Sequence, residues 1–270
     1  MGVACVLWAA ADGSDGPMND DGVIKMHQKG LENVKITVVY DNNPYKEGLE
    51  TEWGFGAVIA GAQKTILFDT GGNDALIRNM AKLKIDLTAI DTVIISHNHW
   101  DHTGGLDAFL AKNHSVAVYA PISFPDEFKD KVRNSGATLV EVDKAKEVCP
   151  NIYLTGQMGD QIIEQSLAIR SDKGQIVLTG CAHPGIVKIV QAVKEMTNEE
   201  ILLAMGGFHL KGDSEEKIEQ VVEAFEELGV RYAAPTHCTG DKARTLFKQH
   251  YKDKYLPVGA GYVLKVAELK

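Results

Sequence analysis

Hydrophobic positions along this chain come in short runs, interleaved with stretches whose apolar residues recur every three or four positions. The first pattern predicts buried strands and the second predicts amphipathic helices. Residues 34–41, 56–60 and 64–70 read as strands, the last two joined by a turn at Gly61, Ala62 and Gln63. Residues 73–83 read as a helix with Asn73 placed to cap it. Strands follow at 91–96, 115–120, 137–142 and 151–156, with a helix after Pro121 and a helix-like apolar segment after Gly105. Residues 166–180 read as a hairpin turning at Asp172, Lys173 and Gly174. Helices at 185–196, 214–229 and 241–251 then alternate with strands at 201–207, 231–235 and 261–266. Hairpins plus strand–helix units in both halves predict an α/β (α+β) sandwich, each half contributing a sheet with helices outside.

Composition narrows this picture. The 270 residues are 44% hydrophobic and 24% charged, enough for a sizeable core. No linker separates the halves, so residues 31–270 read as one domain. Residues 1–30 begin apolar without a basic flank and read as a loose N-terminal extension, a cleaved signal being the alternative. The net charge of −9 argues against a nucleic-acid partner. No apolar stretch is long enough to cross a membrane. Cys5, Cys149, Cys181 and Cys238 are scattered, with no CxxC spacing. That spacing does not suggest a disulfide framework and points to a reducing, cytoplasmic setting.

One short stretch carries most of the chemistry. The apolar run Val93-Ile94-Ile95 breaks at Ser96, and His97, His99, Asp101 and His102 follow within six positions. Beyond a strand end, residues two apart can face the same way, so His97 and His99 can chelate one ion. Asp101 and His102 can then face a second ion. Imidazole nitrogen suits zinc, iron, nickel or copper, and a carboxylate adds preference for harder divalent ions. His183, His209 and His237 also fall at or just after predicted strand ends, whereas His27, His114 and His250 do not.

The run "HNHWDHTGG", with "LFDTGG" upstream, resembles the HxHxDH motif of the metallo-β-lactamase-fold superfamily. "TEWGFGAVI", "LTGCAHPGI", "GGFHL" and "PTHCTG" resemble its dihydropterin-ribofuranosylaminobenzene-phosphate-synthase-like subgroup of metal-dependent hydrolases. The resemblance runs from about Val34 to the C-terminus and implies a four-layer αββα sandwich with the metal site at one edge of the two sheets. It implies His97 and His99 on a first ion, Asp101 and His102 on a second, and His237 completing the second. It makes Asp69 a hydrogen-bonding support for the ligands.

The middle of the pattern departs from the superfamily. Cys181 stands where an aspartate bridging two metals is expected, and no histidine lies between His114 and His183. His183 is the favoured third ligand of the first ion, with Glu164 and Cys181 as rivals. Cys238 reads as structural. Glu52 and Trp53 belong to an early hairpin that would overhang the site on the substrate side. The resemblance implies a metal-dependent hydrolase using a metal-bound hydroxide on a small ester, phosphoester or lactone, the subgroup's prototype suggesting a pterin-related substrate. Asp101 would orient the nucleophile, and His209 or Asp101 would protonate the leaving group. Zinc is the expected metal, with manganese or iron as alternatives, one or two ions per chain. An iron-dependent oxidoreductase of the same fold and a non-catalytic ligand sensor are the rival functions.

Overall fold

The structure, a computed structural model, describes residues 23, 24, 27 and 29–270. The first half runs β1 (Lys35–Asp41), β2 (Phe55–Ala60), β3 (Ile66–Phe68), α1 (Ala75–Lys82), β4 (Thr92–Ile94), α2 (Trp100–Thr103), α3 (Leu106–Leu110), β5 (Ala117–Pro121), α4 (Asp126–Asn134) and β6 (Thr138–Val142). The second half runs β7 (Lys144–Cys149), β8 (Ile152–Gly156), β9 (Leu167–Ser171), β10 (Gly174–Thr179), α5 (Ile186–Thr197), β11 (Ile201–Gly207), α6 (Glu215–Glu227), β12 (Tyr232–Thr236), α7 (Asp241–Tyr251) and β13 (Val263–Lys265).

These strands build two sheets, ordered β13-β1-β2-β3-β4-β5-β6 and β12-β11-β10-β9-β8-β7. Alternation along each strand decides which layer a side chain joins. Ile66 and Phe68 of β3, Ile176 and Leu178 of β10, and Leu203 and Met205 of β11 share one cluster between the sheets. Leu67 joins a second cluster with Leu76, Met80, Phe109 and Phe128 of the helices outside the first sheet. Val177 and Ala204 join a third with Ile189, Val222, Phe225 and Phe247 of α5, α6 and α7. Each large aliphatic or aromatic side chain buried this way contributes about 1.5–3 kcal/mol. The result is the four-layer αββα sandwich.

Three features differ from the sequence reading. The last strand does not stay with the second half: β13 pairs antiparallel with β1 and covers what would be an open sheet edge. Strand β7 was absent from the hydrophobic pattern because its first four residues are exposed or half-buried, without alternation. Helix α4 starts after Pro125 rather than Pro121. Asn73 acts near the start of α1 as expected, its side-chain oxygen accepting the Ala75 N–H at 2.8 Å. The expected loose extension lies mostly outside the described residues, although Ile24 is buried against the outer face of the second sheet.

The pairs β3–β4, β4–β5 and β5–β6 are parallel in one sheet, as are β10–β11 and β11–β12 in the other. Loops leaving the C-terminal ends of these strands are free to carry chemistry while the strands stay rigid. Phe225 anchors the helical layer on the second sheet, fully buried, with ring centroids 5.5 Å from Phe208 and 5.4 Å from Phe247. Phe225→Ala is expected to cost about 3–5 kcal/mol, read as a lowered urea midpoint.

Candidate metal centre

The candidate residues converge where parallel strands end. Asp69 follows β3, Ser96 and His97 follow β4, Cys181 and His183 follow β10, His209 follows β11 and His237 follows β12. The turns are tight. Asp69, Ala182, His209 and His237 all adopt left-handed backbone, with φ of 54°, 64°, 53° and 49°. Such conformations cost about 1–3 kcal/mol each and persist only where the surroundings hold them.

Asp69 supplies much of that hold. It is fully buried. One carboxylate oxygen accepts the Ser96 N–H at 2.7 Å, and the other accepts the Ser96 hydroxyl at 2.7 Å and faces His102 Nδ1 at 2.7 Å. Ser96 Oγ in turn lies 2.9 Å from His97 Nδ1. One carboxylate therefore orients two imidazoles, leaving each Nε2 directed into the site. The second sheet comes in close here. A Cβ on Gly180 would lie 2.1 Å from Ser96 Oγ and 2.8 Å from Asp69 Oδ2, so only glycine fits.

The donors fall into overlapping groups. Asp101, His102, Cys181 and His237 each offer an atom within 4.8 Å of the others'. So do His97, Cys181 and His183. His99 lies beside the second group, its Nδ1 3.1 Å from His97 Nε2 and its ring centroid 4.9 Å from that of His183. Cys181 Sγ sits 3.3 Å from His102 Nε2 and is common to both groups. The buried His183 Nε2 has no hydrogen-bond partner, and His237 Nε2 faces only the Asp101 carboxylate at 3.3 Å. Leaving such an atom unsatisfied costs about 1–3 kcal/mol, which a bound cation would relieve. His237 is pre-oriented for this, with Nδ1 2.8 Å from Asn42 Oδ1. Nitrogen, sulfur and carboxylate donors together suit zinc or a similar first-row ion.

Glu164, a rival ligand in the sequence reading, is engaged elsewhere. Its Oε1 accepts the N–H groups of Cys181 and Ala182, both at 2.9 Å, and its Oε2 accepts that of His183 at 2.8 Å. It shapes the loop that carries Cys181 and His183 and lies outside both donor groups.

Charge in the site is tightly set. Burial, reinforced by neighbouring histidines, holds His97 well below its usual range. Burial and His209 depress His183 to about 3. Burial works to raise Asp101, but His237 and His102 outweigh it and hold the carboxyl at about 2. Burial works to lower His102, but Asp69 wins and raises it. A hydrogen bond with Cys238, together with burial, pushes the Cys181 thiol up. A cation taking that sulfur must therefore displace a proton.

The rim is built from the first half's hairpin. The Trp53 ring lies 4.9 Å from that of His237, and Lys211 Nζ sits 4.4 Å over the Trp53 ring. Glu52 is exposed and accepts a hydrogen bond from Asn73. A cavity of about 590 Å³ opens beside His183 and His209, floored by residues 158–162 and flanked by Lys188. His27 and His250 pair with Glu147 and Glu219, away from the site. Sequence reasoning missed Asn42 and Ser96, and it read Cys238 as structural. The structure brings Cys238 within 4.8 Å of Cys181 and His209 donors. Its position directly after His237 was the available signal.

The profile of the metallo-beta-lactamase superfamily matches residues 56–241. A Methanocaldococcus jannaschii protein named 7,8-dihydropterin-6-methyl-4-(beta-D-ribofuranosyl)-aminobenzene-5'-phosphate synthase is 29% identical over 286 residues, covering 87% of this chain and 97% of that protein. The crystal structure of Tm1679, described as a metal-dependent hydrolase of the beta-lactamase superfamily, matches with a TM-score of 0.76 at 31% identity, covering 87% of this chain and 100% of that one. The metallo-beta-lactamase fold protein YhfI from Bacillus subtilis shares the fold, with a TM-score of 0.64 at 16% identity, over 86% of this chain and 99% of that one.

Two outcomes follow from this geometry. Gly180→Ala should drive Ser96 and Asp69 apart, costing about 1–3 kcal/mol of stability. It should also weaken metal retention by about 10-fold or more, measured by competition with a chelator. The second concerns acid. Below about pH 6.5 the unfolded chain protonates His183, whereas the folded, metal-free chain resists until about 3. Stability present above that window is therefore lost as pH falls through it. Chelator-treated His183→Gln should lose less stability than wild type between about pH 7 and about pH 4.5, read by urea unfolding.

Proposed function

The chain belongs to the metallo-beta-lactamase superfamily, and from that footing we propose that it is a metal-dependent hydrolase of a small ester, phosphoester or lactone. The observation that carries this reading is the buried Nε2 of His183, which has no hydrogen-bond partner on the wall of an open cavity, with donor atoms of His183 and His237 each within 4.8 Å of that of Cys181. His97, His99 and His183 would hold one divalent ion, and Asp101, His102 and His237 a second, with Cys181 between them. Zinc fits this donor set best. Such ions lower the pKa of a coordinated water and polarise a substrate oxygen.

The chain's own residues do the rest. Asp101, ionised down to about 2, accepts the hydrogen bond that orients an attacking water. His209, on the cavity wall, donates a proton to the leaving group. Asp69 and Asn42 fix the tautomers of His102 and His237 so that each Nε2 faces inward. Trp53 and Lys211 offer the substrate an aromatic face and a positive charge at the rim. A reducing, cytoplasmic setting suits the free Cys149, Cys181 and Cys238. Among the described residues no helix is long and apolar enough to cross a membrane.

A second reading rests on the synthase relative, which this chain matches over 97% of that protein's length. In it the same groups activate a phosphate-bearing, pterin-type precursor toward a partner other than water. The test combines elemental analysis of protein purified without added metal or chelator with a phosphoester and lactone panel. About two zinc ions per chain and turnover lost at least about 100-fold in His237→Ala are the expected results. Turnover only with a second organic substrate would favour the synthase reading. Full activity of the chelated protein would remove both.

A further inference from the structure

A third set of donors lies to one side of the two already described. Cys181 Sγ, Cys238 Sγ and a ring nitrogen of His209 are within 4.8 Å of one another. Both sulfurs are buried, while His209 is exposed on the wall of the cavity. The turn bearing His209 is tied to the turn bearing Cys238 on both sides. Phe208 N–H donates to Thr239 Oγ1 at 3.0 Å, and Lys211 N–H donates to the Cys238 carbonyl at 3.2 Å. Gly207 leaves the space the sulfur fills, since a Cβ there would lie 2.7 Å from Cys238 Sγ. The Cys238 thiol donates to the Cys181 carbonyl at 3.5 Å. The His183 ring stands 4.3 Å from that of His209.

Two sulfurs and an imidazole, with no carboxylate, make a softer donor set than Asp101, His102 and His237. We propose that Cys181, Cys238 and His209 form a third cation position, taking soft or borderline ions such as zinc, cadmium or copper(I). Loading it is an ion exchange. Each thiol that ligates releases its proton to solvent, and no oxidation state changes. Because Cys181 is common to all three groups, a soft ion here draws that sulfur away from the position between the other two. The proposal shares Cys181 and His209 with the hydrolase reading, but its test reads no turnover, so the failure of one is distinguishable from the failure of the other.

The test is a titration of the metal-depleted full chain with cadmium ion alone, following sulfur-to-cadmium charge-transfer absorption. In wild type the tightest equivalent should show the absorption of two thiolates. Cys238→Ser should halve that absorption and weaken cadmium binding by about 10-fold or more. Manganese binding to the Asp101 side should be unchanged in the same variant, which also reports that it is folded. His209→Ala provides a second route, with two-thiolate absorption retained and affinity again lowered about 10-fold. Wild-type absorption and affinity in Cys238→Ser would overturn the proposal, as would single-thiolate absorption in wild type or unchanged affinity in His209→Ala.

Discussion

The buried carboxylate of Asp69 is the point on which site and fold both turn. It accepts the backbone N–H and the hydroxyl of Ser96 and pairs with His102, all at 2.7 Å. Through Ser96 it reaches His97. A carboxyl group removed this far from water is tolerable because both its oxygens have short hydrogen-bond partners. The same contacts fasten the end of β3 to the end of β4, two parallel neighbours. The second sheet then packs onto this knot through Gly180, with no room for a side chain. The turns that carry the candidate ligands are thus held at the join between the two halves of the sandwich.

Sulfur at the middle of the cluster sets this chain's character. Cys181 lies where two donor groups overlap, and its loop is clamped by three backbone hydrogen bonds to Glu164. A carboxylate in that place would bring charge with it. A thiol pushed up by its surroundings brings charge only when a cation displaces its proton. His97 and His183 are kept neutral by burial and by neighbouring histidines, so they offer lone pairs rather than positive charge. The centre is therefore organised to receive cations.

Much of this was legible along the chain, and the exceptions have physical reasons. Helix α7 and strand β11 match their expected ranges because α7 has a clear helical period, β11 is an unbroken apolar run, and each is bounded by glycine. The clustering of His97, His99, Asp101 and His102 is visible because one strand end carries all four. Strand β7 was missed because residues 144–147 show no alternation for a half-buried strand. Helix α2 was missed because four residues are too short for a helical period to register. Asn42 was invisible because its partner His237 is 195 positions away. Glu164 reads along the chain as a rival ligand, but its partners are backbone N–H groups, which are identical at every position and leave no trace in sequence. Cys238 was seen and read as structural because adjacency to a histidine does not tell where its sulfur points.

The pairing of β13 with β1 has a consequence for how the molecule is made. Lys35 meets Lys265, so the two partners emerge from the ribosome 230 residues apart. The first sheet can begin to assemble from β1 to β6 early in synthesis, yet its outer edge at β1 stays unpaired until almost the whole described chain is available. An uncovered edge of this kind invites pairing with another chain. Translation speed and chaperone cover over the second half of the protein therefore bear on the quality of a sheet encoded almost entirely in the first.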